Sequence, residues 1–190
     1  LSGHRQPPGT SGRDLPTDGS TIDPSLVDVY PIDYSELPSC NGEFRPWAIE
    51  FHEGMGYIGL VCDGSVSGLA EDLTAYVLRF DPQQMNVLEN DFEVVLDFPL
   101  NYRRENIFDA DQQWHAWASE WPHPISDDDM EEYYAQPILS DMEFDSEGRM
   151  IISVIDRFGF QSSRENVAAD LSDQTPTFTG NAAGDILLAC

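Results

Sequence analysis

The sequence predicts an all-β chain of β-propeller-like, four-stranded antiparallel blades forming a partial propeller; a β-sandwich is the alternative that the same strand count permits. Three observations predict it. Short apolar segments of strand length alternate with Gly-, Pro- and Asp-rich turn signals. Helical periodicity is scarce, with candidates only at 110–119 and 127–134. A hairpin near residue 50 also recurs 93 residues later, matching Glu50 with Glu143, Phe51 with Phe144, Ile58 with Ile151, Val61 with Val154 and Asp63 with Asp156.

Residues 1–26 are rich in Gly, Pro, Ser, Thr and Asp without periodicity and read as a linker or long surface loop. From 27 to 190 the chain reads as strands. The stretch 26–34 (LVDVYPIDY) alternates and would be the outer strand of a preceding blade. The segments 47–51 (WAIEF) and 57–62 (YIGLVC) flank HEGMG, whose two glycines suit a tight reversal. The segments 75–80 (AYVLRF), stopped by Asp81-Pro82, and 92–98 (FEVVLDF), stopped by Pro99, complete a blade over 45–99. A long insert, 100–137, follows. An incomplete blade, 138–190, repeats the pattern with 138–144 (ILSDMEF), 150–155 (MIISVI) and 185–189 (DILLA), so further blades of a longer chain are expected.

Charge narrows the function. The 190 residues carry 35 acids and nine bases, all Arg, for a net charge of −26. Nucleic-acid binders gain affinity by neutralising phosphates with cations, and an anionic membrane surface repels such a chain for the same reason. No apolar run approaches the ~20 residues that span a bilayer. The N-terminal stretch has no signal-peptide core, so the sequence reads either as cytoplasmic or as an internal piece of a longer exported protein. High acidity without Lys fits a halophilic or marine setting, or an ordinary extracellular surface.

The stretches CNGEFRPWAIEFHEGMGYIGLVCDG (40–64), YVLRFDP (76–82), VLDFPLNYRR (95–104), YAQPILSDMEFDSEGRMIISVIDRFGFQ (134–161) and AAGDILLAC (182–190) resemble a group of large bacterial secreted or cell-surface proteins. Those proteins carry a propeller-like region, often with adhesive β-sandwich repeats. The resemblance implies location and architecture more than chemistry.

Cys40 precedes the first hairpin strand and Cys62 ends the second, so the strand reversal can bring them together. A disulfide would suit an exported protein, and the resembled group tends to place cysteine at both positions. The other reading is two buried free thiols. Cys190 is left odd, which is consistent with a partner beyond the end of this sequence.

Glu50 and Glu143 sit at matching positions within strands. A carboxylate there needs a partner, and Arg45, Arg79 and Arg157 are the nearest cations for repeated structural ion pairs. Asp141, Glu143 and Asp145 alternate along one strand, an oxygen-rich set that suits Ca²⁺, and further acids cluster in the insert. Trp114, Trp117 and Trp121 keep helical spacing; they read either as core capping the propeller or as a stacking surface for sugars or a partner. No nucleophile elbow, zinc-protease, phosphate-loop or CxxC motif is present, and the four His are not spaced as ligands.

The leading expectation is an extracellular or cell-surface binding or structural module without catalysis, meeting protein or polysaccharide. The alternatives are a propeller-type glycoside hydrolase or polysaccharide lyase using channel-mouth carboxylates, and an assembly element of a surface layer or filament.

Overall fold

The computed structural model describes residues 29–84, 92–104, 113–120, 134–163, 166–167, 177–180 and 182–189. The chain divides into two units, 1–31 and 32–190; of the first only residues 29–31 are described, and the elements below belong to the second. It is nearly all β. Strands β1 (Phe44–His52), β2 (Met55–Cys62), β3 (Thr74–Phe80) and β4 (Glu93–Pro99) form a four-stranded antiparallel sheet in sequence order. Strands β5 (Pro137–Phe144) and β6 (Met150–Asp156) lead into helix α1 (Arg157–Ser162) and a small pair, β7 (Asn166–Val167) and β8 (Thr177–Phe178). Strand β9 (Gly184–Ala189) then returns beside β6, giving a second sheet ordered β5, β6, β9.

Local chemistry explains the reversals. Glu53 and Gly54, both at positive φ, form the two-residue β1–β2 turn, the geometry that matches strand twist. The β5–β6 turn is closed by Asp145, whose carboxylate accepts the Glu147 and Arg149 N–H groups, with Gly148 at φ 79°. Asp156 caps α1 by accepting from Phe158 and Gly159 N–H, the role an N-cap aspartate is suited to.

The internal repeat is present in the strand pairing. Both hairpins carry a bulge at matching positions, Trp47 and Ser140, where one residue is skipped in the ladder. Ala48 pairs with Gly59 as Asp141 pairs with Ser153, and Ile49 pairs with Ile58 as Met142 pairs with Ile152. The sequence overlay therefore holds for β1 on β5, but β2 falls on β6 one residue later. The second turn is one residue longer, so the Ile58, Val61 and Asp63 identities are not equivalent in the ladder.

The sheets meet through β5, which packs on β1 and β2. Leu139 fills the space left by Gly59 beside Ala48, and Phe144 stacks on His52 with ring centroids 4.1 Å apart, so β1 and β5 run in the same direction. Around this contact one core joins Ala48, Val61, Ala75 and Val77 to Leu139, Met142, Ile152 and Val154, with Trp114 and Leu100 at its edge. A second cluster covers the other face of the first sheet: Ile32, Tyr34, Leu37 and Cys40 lie with Leu60, Tyr76 and Leu78. The Cys40–Cys62 disulfide ties this segment to β2.

Two expectations are corrected. Residues 29–34 of the expected strand 26–34 form no ladder; Pro31 lacks a donor, and Ile32 and Tyr34 serve as a side-chain cover instead. Residues 113–119 of the expected helix 110–119 are extended or bent, their amides spent on other segments: His115 N–H donates to Ala135 O and Trp117 N–H to Asp63 O. Helix α1 was not anticipated, because six residues are too few to show periodicity. The expected helix 127–134 lies outside the described residues except Tyr134, which is not helical.

Candidate functional site

The two hairpins bring their strand starts together at one end of the molecule, and each closes on a buried aspartate. Asp63 accepts from the N–H of Glu43 at 2.8 Å and of Ser65 at 3.0 Å, and from Arg45 Nε at 2.7 Å. Burial works to raise its pKa, but these donors outweigh burial and hold the carboxyl below the usual range. Asp156 likewise accepts from the N–H of Gln136 and Phe158, each at 2.8 Å, and of Gly159 at 3.1 Å. No guanidinium bonds to it among the described residues, and burial pushes its pKa up to about 6 despite those N–H groups.

That shift has a consequence for stability. The folded state favours the protonated carboxyl over the interval between the ordinary aspartate value of 3.8 and about 6, so folding takes up a proton there. This contribution is fully present below about pH 4 and is lost as pH rises through 6. Urea midpoints across that window will fall in the wild type more steeply than in Asp156→Asn; equal slopes would exclude the titration.

The segment 113–120 crosses between the hairpins and delivers Trp117. Its indole Nε1 donates to Pro137 O at 2.9 Å. Two guanidiniums lie against its ring, Arg45 at 5.1 Å and Arg157 at 4.4 Å from the centroid, within cation–π range. Arg157 also donates to Gln136 Oε1 and to Ala118 O. Burial lowers its pKa, and the nearby Arg45 charge lowers it further. These residues line an open cleft of about 720 Å³ with Glu43, Ser65, Ser119, Glu120 and Tyr134. Tyr134 is stacked on His115 with centroids 4.3 Å apart.

The other sequence-derived sites fare differently. Arg45, Arg79 and Arg157 are engaged, but with Asp63 and Glu43, with Glu93, and with Gln136 respectively. Glu50 and Glu143 make no ion pair with a described residue. Glu50 shares the face of Ala48 that looks toward the second sheet, while Glu143 is exposed on the face of β5 that looks away, so the two carboxylates do not converge. Asp141 and Glu143 share that exposed face of β5, whereas Asp145 is held in its turn by Arg149, whose guanidinium lowers its pKa. No group of three or more such side chains that could hold a metal ion occurs among the described residues. Trp114 is core, with Arg104 over its ring at 4.5 Å; Trp117 lines the cleft; Trp121 lies outside the described residues. Without a helix, the tryptophan spacing has no common face.

Asp63 and Asp156 were legible only as an identity in the repeat overlay, and their pairing with backbone N–H groups was not. No helix among the described residues is long and apolar enough to cross a membrane.

No protein-family profile matches the chain, and no solved structure matches it. The chain is 32% identical over 126 residues to Colossin-A of Dictyostelium discoideum, an alignment covering 63% of this chain and about 1% of the length of that protein.

Proposed function

We propose that the chain contributes two neighbouring blades of an extracellular β-propeller and acts as a binding module, without catalysis, for a protein or polysaccharide outside the cell. The observation that carries this reading is the sense in which the repeats stack. The pairing equivalences put the face of Ala48 and Gly59, which looks toward the second sheet, in correspondence with the face of Asp141 and Ser153, which looks away from the first. Conversely, Met142 is buried between the sheets while its counterpart Ile49 is 58% exposed on the far side. Such head-to-tail stacking extends by adding units, as propeller blades do. The outward row of β1 agrees: Ile49 and Phe51 are 58% and 57% exposed, where the outer face of a two-sheet sandwich would be polar.

The disulfide supports an oxidising location, since such bonds persist outside the reducing cytosol. The cleft, opening where the hairpins of adjacent sheets begin, supports binding. The test is an array of glycans and extracellular-matrix proteins read for both retention and product. Retention without product, lost in Trp117→Ala, is the expected result. Release of product from any glycan overturns the non-catalytic reading, and absence of retention on the whole array overturns the binding reading.

A further inference from the structure

Two like charges converge on the cleft. Arg45 and Arg157 both flank Trp117, both line the open volume, and Arg157 is half-buried with no carboxylate in ion-pair distance among the described residues. Its hydrogen bonds go to neutral oxygens of Gln136 and Ala118, and the carboxylates of Asp63 and Asp156 favour its charge only through space. Asp63 and Asp156 lie nearby, but their oxygens are taken by backbone N–H groups and, for Asp63, by Arg45. Arg45 is already ion-paired with Asp63 and Glu43, so Arg157 is the guanidinium of the pair that can receive a ligand's anionic group.

The rest of the lining says what kind of anion. Glu43, paired with Arg45, and Glu120 are exposed at the lining, which Ser65, Ser119 and Tyr134 share. Carboxylates at the margin repel a polyanion, as does a chain of net charge −26. They accept hydrogen bonds well from sugar hydroxyls. A ring carrying one carboxylate and several hydroxyls satisfies both sets, the carboxylate toward Arg157 and the hydroxyls toward Glu43, Glu120 and the serines.

We propose that this cleft binds a uronic-acid residue of an exterior polysaccharide, its carboxylate received by Arg157 beside Arg45. The proposal rests on the reading of the chain as an extracellular binding module and names the ligand of its cleft.

Calorimetric titration of the folded, disulfide-bonded protein with tetragalacturonate, with its methyl ester and with tetraglutamate tests it. The acid is expected to bind, the ester and the peptide at least roughly tenfold more weakly, and added salt to weaken the acid alone. Arg157→Gln is expected to lose roughly tenfold in affinity for the acid, with Arg157→Lys between the two because it keeps the charge but not the planar fork. Far-ultraviolet circular dichroism shows whether each variant is folded, and the salt dependence of the wild type reports independently of any variant. Equal binding of acid and ester, or tighter binding of tetraglutamate, overturns the uronate assignment while leaving a binding module. No binding of the acid also overturns it, and the broader reading is then judged on the array.

Discussion

Leu139→Ala is expected to lower unfolding free energy by about 3 to 4 kcal/mol, the upper part of the range for a fully buried leucine. Leu139 has no exposed surface and is the side chain that inserts from the second sheet into the first. It can do so because Gly59 has no Cβ; one placed there would overlap Leu139 Cδ2 and crowd the Ala48 methyl. Gly59→Ala alone should therefore also destabilise, by about 1 to 3 kcal/mol, through overpacking. The two substitutions act on one volume, so their effects will not add. The double variant is expected to be more stable than the sum of the singles by about 1 kcal/mol or more, since the alanine methyl partly fills the space the leucine vacates. Urea denaturation of the four proteins measures this, and strict additivity would mean that Leu139 and Gly59 are not a knob and its hole.

Replacing Cys40 and Cys62 together by Ala is expected to cost about 3 kcal/mol, from the loop entropy that the cross-link removes from the unfolded chain. The sequence separation of the bond is 22 residues, and its Cα atoms are 5.6 Å apart. The effect will not be evenly spread. The segment holding Ile32, Tyr34 and Leu37 has no ladder hydrogen bonds, and it covers Leu60, Tyr76 and Leu78 through side-chain contacts alone. The Tyr34 ring packs tilted against Phe44 with centroids 4.9 Å apart. Without the staple this cover opens before the sheets do, so limited proteolysis will cut within 32–40 at denaturant concentrations where β1 to β3 remain protected. Cleavage that begins in the strands, or an unchanged midpoint, would show that the cover does not depend on the bond.

Strand positions were the most legible feature. The short apolar runs in 57–62 and 75–80, each bounded by turn signals, report a strand from nearest-neighbour chemistry alone, and β2 and β3 lie there. The hairpin signal HEGMG likewise yields the two-residue turn, because Gly54 tolerates the positive φ that the turn needs. The stretch 26–34 misled because alternation is only half of a strand; the other half is a partner edge, and Pro31 cannot donate to one. Trp114 and Trp117 misled in the opposite way. Their spacing satisfied a helix, but the amides of that segment bond to Ala135 and Asp63, residues distant in sequence. The candidate site was the least legible part. Arg45, Arg157 and Trp117 were each visible, yet nothing local indicates that residues so far apart flank one ring.

By itself the sequence determined the all-β character and the two repeated hairpins, since each follows from short-range patterning and chain reversal, and it placed Cys40 and Cys62 where the structure bonds them. It also determined the acidity, because nine Arg cannot neutralise 35 carboxylates in any fold. Only the tertiary structure decided which residues face each other. A single extra residue in the β5–β6 turn shifts β6 against the repeat, and because strand side chains alternate with a period of two, a one-residue shift exchanges the faces. Which face of a hairpin is covered is set by the stacking of the sheets, which buries Met142 on β5 while leaving its β1 counterpart Ile49 exposed. The stacking in turn brings Arg45 and Arg157 to either hairpin's end of the same cleft, a juxtaposition set by packing between sheets rather than by any local run of residues.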